Sequence, residues 1–281
     1  MDPIATILML LAGLLHATWH AIVKTGSGVS ILAGMGLVSS VLTMPFLFFV
    51  PAPSPSTWPI LLASLALHAG YKTSLATAYR SAEFGRAYPI ARGTVPLFAT
   101  LLAYLGLRQW PHAGQLTGIA VIVVGILGLA RDRVHGPIDR RAFAAAILAA
   151  AMVAAYSVID AAGTRQPEGW ASFTVWVIVL DSLVFFVVAT IQRGPAIMSD
   201  IRESLVAVLI AGLLGLTSFA VFLWALSRNP IANVVAFREC SVLFATMIGV
   251  LVLKERATPQ RLCCAALIAV GLAIVAVLKP V

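Results

Sequence analysis

Apolar stretches long enough to cross a membrane follow one another along the whole chain, and short polar turns separate them. A helix needs about 20 apolar residues to cross a hydrocarbon core of about 30 Å. Because that core offers no water to the backbone, a spanning segment must be a helix or part of a closed barrel, and this length is typical of helices. The pattern predicts ten helices, over residues 4–24, 31–50, 57–79, 84–107, 114–130, 141–163, 171–192, 204–226, 230–253 and 259–279.

The composition agrees with this pattern. The chain has 281 residues, of which 60% are hydrophobic and 11% are charged, whereas a soluble domain has about 45–50% apolar residues. The first helix lacks both the basic start and the cleavage site of a secretory signal, so we expect it to be retained. We therefore predict an all-α, polytopic membrane protein with almost no residues left for a soluble domain.

The two halves of the chain resemble each other. An offset of 146 positions aligns two arginines that lie within apolar runs and repeats the letters LFAT. An offset of 137 positions aligns two aromatic residues in another pair of helices. The aligned pairs are Arg92 with Arg238, residues 97–100 with residues 243–246, Gly125 with Gly271, and Trp19 with Tyr156.

This alignment predicts two repeats, residues 1–131 and residues 132–281, with five helices in each. Because five is an odd number, the second repeat must enter the membrane from the opposite side, so the repeats are inverted. Secondary transporters commonly place their substrate site between inverted repeats, near the middle of the membrane.

Arg92 and Arg238 are predicted to lie deep in the membrane. Each lies eight residues beyond the start of its predicted helix, which is about 12 Å at 1.5 Å per residue. An arginine at the centre of a helix costs about 2.5–3.5 kcal/mol on insertion scales, and such residues usually face a cavity or a partner. Either the two arginines bind an anion or gate a central cavity, or they are structural and bind carbonyls or a carboxylate. Pro89, Gly93 and Pro96 also predict a kink or a break beside Arg92.

Polar residues at spacings of three and four form one stripe on the first helix and one on the third. We predict that both stripes face inward onto a water-filled cavity, although a histidine in a membrane helix can also simply hydrogen-bond to a neighbouring helix. Lys24 can extend to the membrane surface, so the deeper Lys72 is the better candidate for substrate contact. The stripes are His16, Trp19, His20 and Lys24 on the first helix and His68, Tyr71, Lys72 and Tyr79 on the third.

Asp160, Asp181 and Glu239 are acidic residues within predicted membrane helices. Either they neutralise the basic residues at the same depth, or Glu239 or Asp160 takes up and releases a proton during transport. Neighbouring side chains on a helix point about 100° apart, so Glu239 need not pair with Arg238. Proton coupling is therefore one of two open interpretations.

No motif for a catalytic nucleophile, a bound metal or a nucleotide phosphate occurs in the sequence. The three cysteines have the spacing of neither a disulfide framework nor a metal site. We therefore predict no enzymatic activity, no cofactor and no metal. The net charge of +8 comes from basic residues scattered over short loops, which argues against nucleic acid as a partner.

The candidate substrate-binding residues are charged, histidine or aromatic side chains of the predicted helices 1, 3, 4, 6 and 9. For the aromatic members, ligand contact and simple packing are both open. The candidates are Arg92, Arg238, Glu239, Lys72, His16, His20, His68, Tyr71, Tyr88, Trp19, Tyr156 and Asp160.

Four stretches carry a resemblance to a known family: HATWHAIVK in the first helix, YPIARG in the fourth, AYSVID in the sixth and FRECSVLFA in the ninth. Together with the repeat pattern, they resemble the EamA-type transporters of the drug/metabolite transporter superfamily over the full chain. The sequence departs from the family pattern at His20, where that pattern has asparagine. The resemblance implies two five-helix repeats and a carrier of a small metabolite, often an exporter, in a bacterial inner membrane.

The leading hypothesis is a secondary transporter that moves a small zwitterionic or anionic metabolite across the lipid bilayer by alternating access. Inward-facing acids would instead favour a cationic drug exporter or a flippase for lipid-linked headgroups. A membrane scaffold and an intramembrane enzyme acting on lipid are alternatives from other classes.

The orientation of the chain in the membrane has two interpretations. The loops that follow odd-numbered helices are richer in basic residues, which predicts that both termini lie outside the cell, whereas the family resemblance predicts that they lie inside.

The fifth helix also allows two interpretations. Its Gly114 and Gly118 permit either a close internal helix contact or a homodimer.

Overall fold

The structure, a computed structural model, describes residues 3–25, 28–81, 91–92, 94–130, 139–252 and 258–277, and within these ranges it contains helices and no strand. The predicted all-α fold is confirmed. In the first half the helices are α1 (Pro3–Thr25), α2 (Gly28–Thr43) followed by a 3₁₀ helix (Met44–Phe48), α3 (Trp58–Ser81), α4 (Val95–Leu107) and α5 (Ala113–Ala130). In the second half they are α6 (Arg140–Thr164), α7 (Gly169–Arg193), α8 (Ala196–Glu203), α9 (Leu205–Arg228), α10 (Ile231–Arg238), α11 (Cys240–Leu251) and α12 (Pro259–Val277).

Several helices have the length and composition of membrane spans. In the described part of the chain, α3 has 24 residues, but its polar stripe keeps its hydropathy below that of the other long helices. Among the described residues, six helical segments are both long and apolar enough: Pro3–Lys24, Gly28–Phe48, Arg140–Thr164, Gly169–Arg193, Leu205–Arg228 and Ile231–Leu251. Shorter apolar helices cover Val95–Gly106, Ala113–Gly128 and Leu262–Val275.

Polarity is distributed as a lipid solvent requires. Large apolar side chains such as Ile7, Phe48 and Ile191 lie exposed on the outer surface. Ionisable side chains are instead buried between the helices, where Arg92 is 1% exposed and Asp160 is fully buried. Charged groups inside a membrane protein usually face the interior of the bundle because lipid cannot solvate them. The centre of the bundle is therefore where a polar site can form.

The helices of one half pack mainly on helices of the other half. Helix α3 packs along α6, and α1 packs along α9. These two contacts correspond to each other when the halves are exchanged, since α1 aligns with α6 and α3 with α9. The contacts of α2 with α7 and of α5 with α12 also join corresponding helices. The interior between the halves is thus formed by both repeats together.

The predicted ninth helix is divided into two. Helix α10 ends at Arg238, Glu239 forms a turn, and α11 begins at Cys240. In the first half, Ala91 and Arg92 are helical, Thr94 forms a turn and α4 begins at Val95. The predicted break beside Arg92 falls partly on residue 93, which lies outside the described residues. The interruption after Arg238 was not predicted, because no proline or glycine marks it.

The short helix α8 was also not predicted, because its eight residues are polar on one side. Ile197 and Ile201 are buried, and Asp200 accepts hydrogen bonds from Arg193 Nη2 at 2.6 Å and from Ser30 Oγ at 2.7 Å. These hydrogen bonds, of which the one from Arg193 has the larger effect, lower the pKa of Asp200 below its ordinary value. Asp200 therefore ties α8 to the end of α7 and the beginning of α2.

Glycines bring α5 and α12 into close contact. A Cβ at Gly118 would lie 2.9 Å from the carbonyl oxygen of Gly271, and a Cβ at Gly271 would lie 2.7 Å from the carbonyl oxygen of Gly118. Small residues permit such close approach of two membrane helices. Gly118 therefore serves an internal contact, which was one of the two predictions for this motif, and a homodimer stays a prediction.

Glu168, between α6 and α7, binds the segment that precedes α3. Its Oε1 accepts a hydrogen bond from the Ser54 backbone N–H at 2.7 Å, and its two carboxylate oxygens lie 3.4 and 3.3 Å from the Thr57 hydroxyl. The hydrogen bonds from Ser54 and its neighbours lower the pKa of Glu168 below its ordinary value of 4.5. Nearby, Ser172 Oγ and Trp176 Nε1 both donate to the carbonyl of Pro51.

We expect Glu168→Gln to lower thermal stability at neutral pH and to have little effect in acid. A carboxyl whose pKa is lowered by folding stabilises the folded state above its ordinary pKa, and that contribution disappears as pH falls below 4.5 through the lowered value. Thermal unfolding in detergent, measured between pH 3 and pH 7, checks this. Glu203→Gln, at an exposed acid of α8, is the control. An equal difference between wild type and Glu168→Gln at every pH would contradict the prediction.

Candidate functional site

A cavity of about 100 Å³ lies in the interior between the two halves, lined by residues of α1, α2, α3, α6, α7, α9 and α10. A cavity of this volume has room for several water molecules. It contains side chains of both signs of charge beside aromatic rings. Of the predicted site residues, it is lined by His16, Trp19, His68, Tyr71, Lys72, Tyr156 and Arg238.

Arg238 is the buried cation of this cavity that has no carboxylate partner among the described residues. Its guanidinium carbon lies 4.0 Å from the ring centroid of Phe222 and 5.9 Å from that of Tyr156. Stacking on aromatic faces stabilises a desolvated cation by about 2 kcal/mol. The nitrogen Nη1 is buried and has no hydrogen-bond partner in the described structure. A buried donor left in this state costs about 1–3 kcal/mol, so an acceptor that enters the cavity would bind Arg238 favourably.

Arg92, in contrast, has a carboxylate partner from the other half. Its Nη2 donates to Glu239 Oε1 at 2.6 Å and its Nε donates to Oε2 at 3.1 Å. Both side chains are almost completely buried, at 1% and 0% exposure, and neither lines the cavity. A two-point bond between guanidinium and carboxylate is both strong and directional. Arg92 thus has the partner that the structural interpretation requires, and Glu239 pairs across the halves rather than with Arg238.

Lys72 and Asp181 form a second ion pair, directly on the cavity wall. Lys72 Nζ lies 2.6 Å from Asp181 Oδ2, and it also lies 4.9 Å from the ring centroid of Phe185. The other carboxylate oxygen, Asp181 Oδ1, is buried and has no hydrogen-bond partner in the described structure. The sequence placed Asp181 among the buried acids but not among the candidate site residues. Its presence in an otherwise apolar helix was the available signal.

Asp160 lies behind the cavity wall and reaches it through His68. Ser64 Oγ donates to Asp160 Oδ1 at 2.5 Å, and His68 Nε2 lies 3.0 Å from Oδ2. Asp160 is fully buried and does not line the cavity, whereas His68 does. The imidazole is stacked on the ring of Tyr156, with centroids 4.0 Å apart. The three polar groups therefore form one connected unit between α3 and α6.

The histidines of α1 take both of the roles that were left open. His16 lines the cavity. His20 is buried behind it, where Nε2 lies 3.0 Å from His16 Nε2 and 3.4 Å from Tyr71 Oη. Trp19 is stacked on His20 with ring centroids 3.6 Å apart. Tyr88 and the side chain of Tyr79 lie outside the described residues.

Sequence reasoning missed one wall of the cavity. Helices α2 and α9 supply most of it and α7 supplies the rest, and neither α2 nor α9 carries an ionisable residue at that depth. Gly36 and Gly215 lie on this wall, and these glycines were a weak sequence signal for the cavity. The lining residues that were not predicted are Leu32, Met35, Gly36, Ser39, Ile178, Asp181, Ser182, Gly215, Leu216 and Phe219.

Comparisons with known proteins agree with this architecture. A family model, described as the EamA-like transporter family, matches residues 3–131 and again residues 140–277. A solved structure, titled only as the crystal structure of a protein, superposes with a TM-score of 0.80 at 16% identity and covers 99% of this chain and 100% of its own. At that identity the likeness shows the fold alone. A comparison with curated proteins finds no match.

Proposed function

Because the chain belongs to the EamA-like transporter family, whose model matches it twice, we propose that it is a secondary transporter for a small zwitterionic or anionic metabolite. It is a multi-pass membrane protein, and its family is one of transporters rather than of enzymes. The transport mechanism in this proposal is alternating access, in which the two halves move against each other around the central cavity.

The finer topology belongs to the same proposal. We assign ten membrane-spanning helices in two inverted repeats, residues 1–131 and residues 132–281. The close packing of corresponding helices across the halves supports this assignment. The location in a bacterial inner membrane and the direction of export rest on the resemblance of the sequence to EamA-type exporters.

The observation that carries the proposal is Arg238 in the cavity. Its charge is buried on aromatic rings, and its Nη1 has no acceptor among the described residues. A carboxylate, phosphonate or phosphate of a substrate supplies that acceptor, with the two-point geometry that a guanidinium favours. The other basic residues at this depth already bind acids, Lys72 to Asp181 and Arg92 to Glu239.

The cavity wall also offers a partner for the positive group of a zwitterion. Asp181 Oδ1 has no hydrogen-bond partner in the described structure, so an ammonium group of a substrate would find an acceptor there. Ser39 and Ser182 line the same space and add hydroxyl groups. The apolar wall, with Leu32, Met35 and Phe219, suits a short apolar portion of the substrate.

We expect Arg238→Gln to reduce substrate affinity 10- to 100-fold, because a charge-assisted hydrogen bond to a buried ligand contributes about 1.5–3 kcal/mol. A thermal-shift screen of amino acids, organic acids and aminophosphonates on the purified protein identifies a ligand, since binding to the folded state raises its stability. Uptake of that ligand into vesicles then compares the variants.

Arg228→Gln is the matched control. Arg228 also lies against an aromatic ring, 5.4 Å from that of Trp224, but it is exposed at the end of α9 and does not line the cavity. The control should bind and transport as the wild type does. If Arg238→Gln transports every compound of the panel as fast as Arg228→Gln does, the role assigned to Arg238 is wrong.

The open oxygen of Asp181 also favours a second candidate, a carrier of organic cations or of lipid-linked headgroups. In that case a cation would protect Asp181 from carboxyl modification and would stabilise the protein in the thermal-shift screen, while carboxylates would not. Asp181→Asn would then lose transport more completely than Arg238→Gln.

A further inference from the structure

We propose that His68 and Asp160 form the site at which this protein binds and releases a proton during its transport cycle. This inference rests on the proposed transport function and deepens it, because it names the coupling ion and the residues that carry it. The sequence suggested Asp160 as a proton carrier, and the proposal assigns that role to Asp160 and His68 together.

The position of the pair is the first argument. Asp160 is fully buried, and among the described residues it is His68, its hydrogen-bond partner, that connects it to the cavity. Both carboxylate oxygens already have partners, Ser64 on Oδ1 and His68 on Oδ2. Asp160 is therefore positioned to hold the imidazole in place and to neutralise its positive charge, and His68 is positioned to exchange a proton with water that enters the cavity.

The proton balance of the pair is simple. With Asp160 ionised, Oδ2 accepts a hydrogen bond from the protonated Nε2 of His68, so Nδ1 is the nitrogen with a free electron pair. A proton from the cavity adds to Nδ1, and the net charge of the pair changes from −1 to 0. The reverse step returns the proton to water. No bond between heavy atoms changes, and no co-reactant other than water is needed.

The surroundings make this change of charge matter to a substrate. A unit charge acts strongly in the weakly polar interior of a membrane protein. His68 stacks on Tyr156, and the same tyrosine ring lies 5.9 Å from the Arg238 guanidinium. When His68 is protonated its positive charge faces the cavity and repels the ammonium group of a zwitterion. A proton and such a substrate therefore exclude each other, which is the condition for exchange transport.

Other titratable groups face His68 from the elements around it. On its own helix these are Tyr71 and Lys72. Helices α2 and α9 contribute none at this depth in the described part of the chain, and α9 contributes the apolar ring of Phe219, 5.2 Å from the imidazole. The groups on the other elements are His16 of α1, Tyr156 and Asp160 of α6, Asp181 of α7 and Arg238 of α10, and His20 of α1 lies behind the cavity against Tyr71.

The test is a titration that needs no substrate. The full-length protein, with ¹⁵N-labelled histidine and in lipid nanodiscs, is followed by NMR from pH 5 to pH 8, the range in which an imidazole commonly changes charge. The chain has five histidines, and the signal that is lost in His68→Asn identifies His68. We expect this signal to titrate within that range. A His68 signal that stays constant throughout the range would overturn the proposal.

Two variants should move the His68 midpoint in opposite directions. Asp160→Asn removes the negative charge that stabilises the imidazolium, so its midpoint should fall by at least about one pH unit, which is a tenfold change in proton affinity. Ser64→Ala removes a donor from Asp160 and concentrates the charge on the carboxylate, so its midpoint should rise. Ser64→Ala changes only one hydroxyl and keeps the test decisive if Asp160→Asn does not fold.

His112→Asn is the control, because His112 lies in the loop before α5 and does not line the cavity. This variant should leave the His68 titration unchanged. If Ser64→Ala and Asp160→Asn also leave it unchanged, the pair is not a proton site. Since the titration uses no substrate, a failure of the transport assignment in the ligand screen would leave this result standing, and the two failures are distinguishable.

Discussion

Replacing Glu239 with glutamine is expected to lower the free energy of unfolding by about 3–5 kcal/mol, because it leaves the buried charge of Arg92 without its carboxylate. The pair is almost completely excluded from solvent, and both of its hydrogen bonds join the two halves. Unfolding by denaturing detergent, followed by tryptophan fluorescence, measures the loss. Glu203→Gln, at an exposed acid of α8, should unfold like the wild type.

A double variant separates charge from packing at this position. Breaking a buried ion pair is costly, whereas replacing both partners by apolar residues of similar volume is often neutral or stabilising. The combination of Arg92→Met with Glu239→Leu should therefore recover most of the stability lost in Glu239→Gln. If the double variant is at least as unstable as the single one, the pair has a role beyond mutual neutralisation, and an uncompensated charge on Arg92 does not account for the loss.

A second large loss of stability is expected from Gly271→Ala, at about 1–3 kcal/mol. The added Cβ would lie 2.7 Å from the carbonyl oxygen of Gly118 and 2.9 Å from the backbone nitrogen of Ile122. Overpacking typically costs about 1–3 kcal/mol, and backbone atoms cannot rotate aside as a side chain can. Helix α12 would have to move away from α5 along the contact between them. Detergent unfolding and thermal unfolding both measure the effect.

Gly106→Ala is the control for this substitution. A Cβ at Gly106 would meet only Val158 Cγ1 at 3.9 Å, which is an ordinary contact. Alanine is favoured over glycine within a helix by about 1 kcal/mol, so Gly106→Ala should be neutral or slightly stabilising. Equal effects at Gly106 and Gly271 would mean that the close approach of α5 and α12 does not contribute to stability.

The two arginines aligned by the repeat have different surroundings. Arg238 lines the cavity and stacks on aromatic rings, while Arg92 lies behind the wall in an ion pair. The residue that follows each arginine distinguishes the halves, since the second half has Glu239 where the first half has glycine. That single acid neutralises Arg92 across the interface. Of the two arginines that the repeat aligns, Arg238 thus faces the cavity, and Arg92 holds the two halves together through its ion pair.

The apolar pattern was sufficient to predict where most helices lie. Runs of about 20 apolar residues have few alternatives in a membrane, because every backbone group must be satisfied within the segment. The start of α7 and the end of α5 fall within a few residues of their predicted positions. The pattern failed at α8, which is short and amphipathic, and at Glu239, where the helix is interrupted without a proline or glycine.

The candidate site was only partly predictable. Ionisable residues inside apolar runs are conspicuous in the sequence, and His68, Lys72 and Arg238 were found in this way. Leu216 and Phe219 lie on the apolar wall, but leucine and phenylalanine are also the residue types that face lipid. Only their position on the cavity wall distinguishes them, and that position depends on contacts between distant segments.

The sequence by itself determined that this chain is an all-helical membrane protein, that its two halves are related, and that charges lie at depth. It could do so because lipid solvates neither an open backbone nor a charge, so both constraints act on local sequence. The tertiary structure alone decided which charges neutralise each other. Glu239 binds Arg92 across the halves instead of its neighbour Arg238, and that choice leaves Arg238 as the cavity cation without a carboxylate in the described structure. Pairing over such separations depends on how helices from opposite halves pack, and no local pattern encodes it.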